Sequence, residues 1–268
     1  MAIELISPIV IIGAAGLFIL LERIFPYDRG QSVLREGFWT DLIWYTILQS
    51  YVLALAISAI IRWIDSGTGF SRLHIVSGWP LSLQLGFFLV THDLYIYLFH
   101  RLQHRSPLLW RIHEAHHSVR DVDWLAGSRS HALEILINQT IEFLPMTLLG
   151  AAPELPLIKG IVDAVWGMFI HSNIDVRLGR AGMFINGPEL HRWHHAREIA
   201  EGGINFGTKL AVWDYLFGTV MRPARKPSGY GLTTYFPGGY FSQIAFAFRP
   251  FGRALPRRTP GEEEVPLT

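Results

Sequence analysis

The sequence predicts an all-α integral membrane helical bundle, with four to five membrane helices and a histidine-rich helical cap. Three observations predict it. The 268-residue chain is 17% charged, with a mean hydropathy of +0.27, a composition suited to lipid more than to water. Several runs in its first 170 residues approach the roughly 20 apolar residues that cross a bilayer. Eight of its 12 histidines fall at spacings of three and four, which a helix presents on one face.

The first run, residues 5–21, reads as a retained helix and not as a signal peptide. The segment before it holds Glu4 and no Lys or Arg, and no small-residue cleavage site precedes Glu22 and Arg23. The second run is residues 42–61, and a Gly- and Ser-containing loop at 66–80 follows it. The third, residues 81–99, stays apolar until Thr91, His92 and Asp93. Glu134, Asn138, Gln139 and Glu142 interrupt the fourth, residues 132–149, while the shorter fifth, residues 157–170, carries Lys159 and Asp163. Gly150, Pro153 and Pro156 between them predict a helical hairpin. Aromatic residues at 235–248 suit a membrane interface, and from Arg249 onward Pro, Arg and Glu262–Glu264 read as a solvated, disordered tail.

Charge orients the bundle. Arg23, Arg29 and Arg35 follow the first run; Arg101, Arg105, Arg111, Arg120 and Arg129 follow the third; Arg177, Arg180, Arg192 and Arg197 follow the fifth. The opposite side has little beyond Arg62, Arg72 and Lys159. Basic loops stay in the cytoplasm, and with five crossings every histidine cluster lands there too. The absence of Cys excludes disulfides, thiolate zinc sites and cysteine-held iron–sulfur clusters. A formal charge of +1 gives no argument for a nucleic-acid partner.

His100 and His104 form an H-x-x-x-H; His113, His116 and His117 form an H-x-x-H-H, repeated by His191, His194 and His195, with His171 alone between them. Imidazole is the commonest neutral ligand for metals, and each cluster is expected to aim its rings at one point. Together they exceed what one ion can use, so the cap is predicted to hold a dinuclear site, of a nitrogen-rich kind that suits iron, copper, nickel or zinc. Asp93, two turns before His100, either accepts from a ligand's second nitrogen or pairs with Arg101 or Arg105. His92 is expected to face elsewhere, near the interface, and His74 to lie on the surface. His131, Glu134, Asn138 and Glu142 form a polar stripe that either lines the interior near the metals or pairs between helices.

Two rival readings are weaker. His113-Glu114-Ala-His116-His117 also satisfies H-E-x-x-H, the zinc motif of a protease, here an intramembrane one. The second cluster lacks that glutamate, and one zinc leaves at least five histidines unexplained. A histidine-lined metal-binding or transport protein would place its ligands near the bilayer midplane, whereas these clusters stand at the membrane edge.

From Asp93 to Val220 the chain resembles the fatty acid hydroxylase/sterol desaturase superfamily of membrane di-iron oxygenases. The resemblance rests on Asp93-Leu-Tyr-Ile-Tyr-Leu-Phe-His100-Arg-Leu-Gln-His104, His113-Glu-Ala-His116-His117, Ser128-Arg-Ser-His131-Ala-Leu-Glu134 and Phe169-Ile-His171-Ser-Asn173. It continues through Pro188-Glu-Leu-His191-Arg-Trp-His194-His195, Asn205-Phe-Gly207 and Trp213-Asp214-Tyr-Leu-Phe-Gly218-Thr219. It implies catalytic metal ligands at His100, His104, His113, His116, His117, His171, His191, His194 and His195, and Asp93, His131, Glu134, Asn173 and Asp214 are the candidates for a supporting layer behind them. It implies two Fe ions, with zinc as the substitute in purified protein, and O2 as co-substrate. The activity implied is hydroxylation or desaturation of a C–H bond in a membrane lipid such as a sterol, fatty acyl or ether lipid. With no heme or flavin motif, electrons come from an external donor: a ferredoxin, a cytochrome b5-like protein or a reductase. A bacterial inner membrane is favoured over endoplasmic reticulum. Residues 1–80 then form N-terminal membrane helices and a loop, 81–220 a fatty acid hydroxylase-like catalytic domain, and 221–268 an interfacial segment and tail.

The chain departs from the pattern at Ala132, where the family has proline, and at Gly167, where some hydroxylases have a further histidine. The place of that ligand falls to a water held by Asn173, or to His131.

Overall fold

The computed structural model describes residues 2–199, 203–252 and 255, and they are helix, turn and loop with three isolated antiparallel bridges. Most of the expected tail, 253–268 apart from 255, lies outside the described residues. Its first three residues are held in place. Arg249 donates to Glu114 at 2.6 Å, and Arg111 donates to the carbonyls of Arg249 and Pro250 and covers the Phe251 ring.

Helix α1, Ala2–Ile24, lies along α6, Leu155–His171; α2, Ser50–Thr68, lies along α5, Ala132–Leu148. Helix α3, Leu81–Arg105, packs on α4, Pro107–His117, and on α6. Among the described residues, three helical stretches are long and apolar enough to cross a membrane: Ile6–Ile24, Thr40–Thr68 and Leu81–Arg105. The fourth and fifth runs form α5 and α6, each 17 residues and interrupted by charge. At the hairpin end, Val76, Phe88, Met146 and Leu155 close a small apolar core.

The second membrane helix starts earlier than its apolar run, as a π-helical stretch, Thr40–Gln49, that leads directly into α2. The hydroxyls of Thr46 and Ser50 donate to carbonyls five residues back, Asp41 at 2.9 Å and Tyr45 at 3.1 Å, and so support the wider turn. Its buried face is polar: Asp41, Tyr45 and Gln49. Tyr45 donates to Gln243 at 2.6 Å, and Gln49 donates to the Ser130 carbonyl at 3.0 Å while accepting from Tyr240 at 2.9 Å. These bonds draw α9, Tyr240–Phe246, against the helix and leave Phe241 exposed.

Two prolines set the corners that the histidines need. Pro107 lacks an N–H and disfavours helical geometry in Ser106. Ser106 therefore goes extended, and its hydroxyl accepts from Leu109 N, so α3 ends and α4 starts afresh. Pro188 opens α7, Pro188–His194, in the same way after an extended Gly187. The short α8, Val212–Leu216, closes the loop that follows.

Arg35 and Arg129, read from sequence as loop charges, are buried. Asp41 accepts from Arg35 at 2.8 Å and from both ends of the Arg129 guanidinium at 2.6 and 3.1 Å, while Asp123 accepts from Arg35 at 2.9 Å. One carboxylate thus ties the π-helix to the loops on either side. Removing one member of such a network strands the other charges in a low dielectric. Asp41→Ala is expected to destabilise the fold by about 3–5 kcal/mol, read as a lowered denaturation midpoint in detergent.

Candidate metal centre

The nine histidines come from the end of α3 (His100, His104), from α4 (His113, His116, His117), from the last residue of α6 (His171) and from α7 and its cap (His191, His194, His195). All nine are buried and form two groups. His100, His104, His113, His117 and His194 offer nitrogens within 4.8 Å of one another, and so do His116, His171, His191 and His195.

The H-x-x-H-H clusters therefore do not each aim at one point, as expected from spacing. At about 100° per residue, i+4 lies about 40° to one side of i, and i+3 about 60° to the other. A helix running between two centres gives its i, i+4 pair to one and its i+3 residue to the other. Helix α4 gives His113 and His117 to the first group and His116 to the second. Helix α7 reverses this, with His191 and His195 in the second and His194 in the first. Helix α3 adds the pair His100 and His104 to the first group, whereas α6 adds only His171 to the second.

The rings are oriented from behind. Nδ1 of His100 donates to the Phe206 carbonyl at 2.9 Å, that of His194 to Ile204 at 2.7 Å, that of His116 to Arg129 at 3.2 Å and that of His171 to Gly167 at 2.7 Å. His113 Nδ1 donates to Glu134 at 2.9 Å, and Gln103 donates to the same carboxylate oxygen. This frees Nε2 to face inward, and Nε2 of His100 and of His194 is buried with no hydrogen-bond partner among the described residues. Within the groups, Nε2 atoms approach to 3.2 Å for His113 and His117, 3.2 Å for His191 and His195, and 2.9 Å for His171 and His191. Two nitrogens each ~2.1 Å from a shared ion, at roughly tetrahedral to right angles, stand about 3.0–3.4 Å apart. The spacing and the donor chemistry both fit metal ions of the nitrogen-preferring class.

Burial, and then the neighbouring imidazoles, hold His113, His117, His194 and His195 well below the ordinary histidine range. The same holds for His116 and His191. Each is thus the neutral ring that ligation requires.

Asp93 is buried against neither His100 nor an arginine. It accepts from Thr208 Oγ1, Lys209 N, Leu210 N and Trp213 Nε1 at 2.8–3.0 Å. Asp214 accepts from Phe206 N and Gly207 N, both at 2.8 Å, and from Thr219 at 2.7 Å. Together they hold the loop whose carbonyls orient His100 and His194, and Phe206 also lays its ring against His100, His104 and His194. Asn173 spends its amide on both backbone groups of Asp28, at 2.9 and 3.1 Å. His131 caps α5, accepting from Leu133 N at 3.1 Å and donating to the Ile244 carbonyl at 3.0 Å. Neither is in a histidine group. His74 is exposed, as expected, while His92 lines a cavity beside the centre.

Spacing arguments passed over Phe206, Ile204, Gln103 and Gly127. Carbonyl acceptors leave no side-chain signature, although Gln103, beside His104, shares the buried polar end of α3 with the histidines. At Gly127 a Cβ would stand 2.6 Å from His171 Nδ1, so only glycine admits the ring.

Residues 85–219, half the chain, match the family model described as fatty acid hydroxylase. The chain belongs to the fatty acid hydroxylase family. It is 31% identical to the ornithine lipid hydroxylase of Rhizobium tropici over 253 residues, covering 91% of this chain and 76% of that protein. It is also similar to the alkylglycerol monooxygenases of Homo sapiens (30% identity, 53% of this chain, 31% of that protein) and Danio rerio (29%, 59% and 35%). The chain thus spans about a third of the length of those two proteins. No solved structure matches it. Membership bears out the resemblance read from the motifs: the protein is an oxidoreductase, a lipid C–H hydroxylating oxygenase. The protease reading is not favoured, and Glu114, its would-be base, is paired with Arg249.

Two predictions follow from the geometry. Gly167 stands one turn before His171, and a Cβ there meets nothing within 4 Å. Gly167→His would give α6 the i, i+4 pair it lacks. Release of metal from the second group to a chelator should slow roughly tenfold or more, since ~1.4 kcal/mol of added ligation is a factor of ten.

The second concerns acid. Below the ordinary histidine value of 6.5 the unfolded rings take up protons that the buried ones refuse. The unfolded state then binds more protons, so stability falls as pH falls. Thermal midpoints of metal-stripped protein should be flat above pH 6.5 and drop steadily below it.

Proposed function

We propose that the two histidine groups hold two iron ions and that the protein uses O2 to hydroxylate a C–H bond of a membrane lipid, with electrons from an external carrier. The observation that carries this reading is a cavity of about 220 Å³ that touches both groups. His100 and His113 line it from the first, and His116, His171 and His191 from the second. A substrate carbon entering there meets both centres at once. Bound iron would supply O2 activation and an oxidant strong enough for an unactivated C–H bond. The protein's own contribution is to keep the rings neutral, hold five of them in one orientation through carbonyls and Glu134, and exclude water from the reacting face.

His100 and His104 end α3, which is long and apolar enough to cross a membrane, and that suits a lipid arriving from the membrane and a ferredoxin, cytochrome b5-like carrier or reductase docking from the cytoplasm. The basic loops favour that side, and a bacterial inner membrane fits the R. tropici relative. The relatives' names speak for hydroxylation over desaturation, and for two kinds of lipid, one headed by an amino acid and one by a diol.

The test is isotopic. Iron-loaded protein in nanodiscs, with a reductant, 18O2 and each of these lipids, should yield a product carrying one 18O atom. His194→Ala and His195→Ala should form none while keeping wild-type helical content. Label arriving from H2(18)O instead, or full turnover by both variants, would overturn the reading.

A further inference from the structure

The far end of the cavity carries a charged cluster that oxidation at the histidines does not use. Its wall there is His92 of α3, Glu142 of α5, Asp163 of α6 and Lys209 of the loop before α8. His92 stands eight residues from His100, Glu142 eight from Glu134, and Asp163 eight from His171. Three helices thus run in parallel from the metal end to this cluster, over about 12 Å. Between the two ends the wall is largely apolar, with Ile96, Phe99, Ile135 and Ile170.

Lys159, fully buried behind the wall, donates to Glu142, to Asp163 at 2.7 Å and to His92 Nδ1 at 3.1 Å. Lys209 pairs with the other Asp163 oxygen at 2.6 Å. His92, Glu142 and Asp163 have the mutual spacing of metal ligands, but the Lys159 ammonium already stands where a cation would sit. The cluster balances two lysines against two carboxylates, so it has no net demand for either sign.

Two donors are left over. Because Lys159 donates to His92 Nδ1, the ring proton of His92 is on Nε2. Neither that atom nor Trp166 Nε1 has a hydrogen-bond partner among the described residues, and both atoms are shut off from solvent. The His92 side chain is nine-tenths buried, and both residues line the cavity. Buried donors of this kind are satisfied by an acceptor that arrives with a ligand. A charge-balanced cluster suits a head group that itself carries no net charge, and a carboxylate within that group accepts from both donors and from Lys209.

We propose that this end of the cavity binds a zwitterionic head group of the lipid substrate, its carboxylate accepting from His92 Nε2, Trp166 Nε1 and Lys209. The carbon that reaches the histidines is then the one about 12 Å from that head group. The inference rests on the oxidation centre proposed above, and its test is separable from that reading.

Iron-loaded, full-length protein is held without reductant, so that nothing turns over. Binding of two radiolabelled lipids with identical chains is measured, one headed by a zwitterionic amino acid and one by an uncharged diol. Wild type should bind the zwitterion at least about tenfold more tightly. Trp166→Phe keeps the ring and removes the donor; it should weaken zwitterion binding about tenfold, leaving diol binding and metal content unchanged. Lys209→Met should act in the same direction, and it guards against a misfolded first variant. Equal affinity of wild type for both lipids, or an equal loss for both in the variants, overturns the head-group site. If 18O enters a lipid while binding does not discriminate, the head-group site falls and the oxygenase stands. Discrimination without 18O in any lipid leaves the head-group site standing and removes the oxygenase.

Discussion

The fold is organised around keeping nine imidazoles buried, neutral and turned inward. A buried polar nitrogen is costly unless it meets a partner, and for His100, His113, His116, His171 and His194 the partner on one side is protein and on the other a shared centre. Everything nearby serves the first requirement. Asp93 and Asp214 hold the loop 204–214 so that the carbonyls of Ile204 and Phe206 meet His194 and His100. The corner at Ser106 and Pro107 turns α4 back towards α3. The Asp41 network fixes Arg129, whose carbonyl accepts from His116. An error at any of these places reaches the centre through one ring's angle.

Much of this was legible in the sequence. The apolar runs became α1, the π-helix with α2, and α3; the histidines came together; and the motifs located the family. These signals are periodic or compositional, and periodicity survives folding. The polar stripe was legible too, though the two uses weighed for it proved complementary: Glu134 serves His113, and Glu142 meets Lys159.

What escaped depends on direction within the helix cross-section or on groups without a side-chain signature. Spacing of three and four says that residues share a face, and it does not say that a second centre lies within that face's angular width. This is why His116 and His194 part from their neighbours. Asp93 is a helix residue near His100 whose partners are backbone N–H groups more than a hundred residues away, a relation that a local pattern cannot carry. His92 adjoins Asp93 but turns the other way, to a buried lysine. Arg35 and Arg129 read as loop charges after the first and third runs, yet their burial follows from Asp41, which sits inside an apolar helix start.

The interleaving of α4 and α7 has a thermodynamic consequence. Each helix serves both centres, so a cation held by the first group fixes the rotation of α4 through His113 and His117 and that of α7 through His194. His116, His191 and His195 then stand preassembled, and a second cation need not meet the entropy of ordering them. Such coupling is reciprocal: whichever centre fills first favours the other by the same free energy. Loading of the two groups would therefore be cooperative, with singly occupied protein a minor species between the empty and the full.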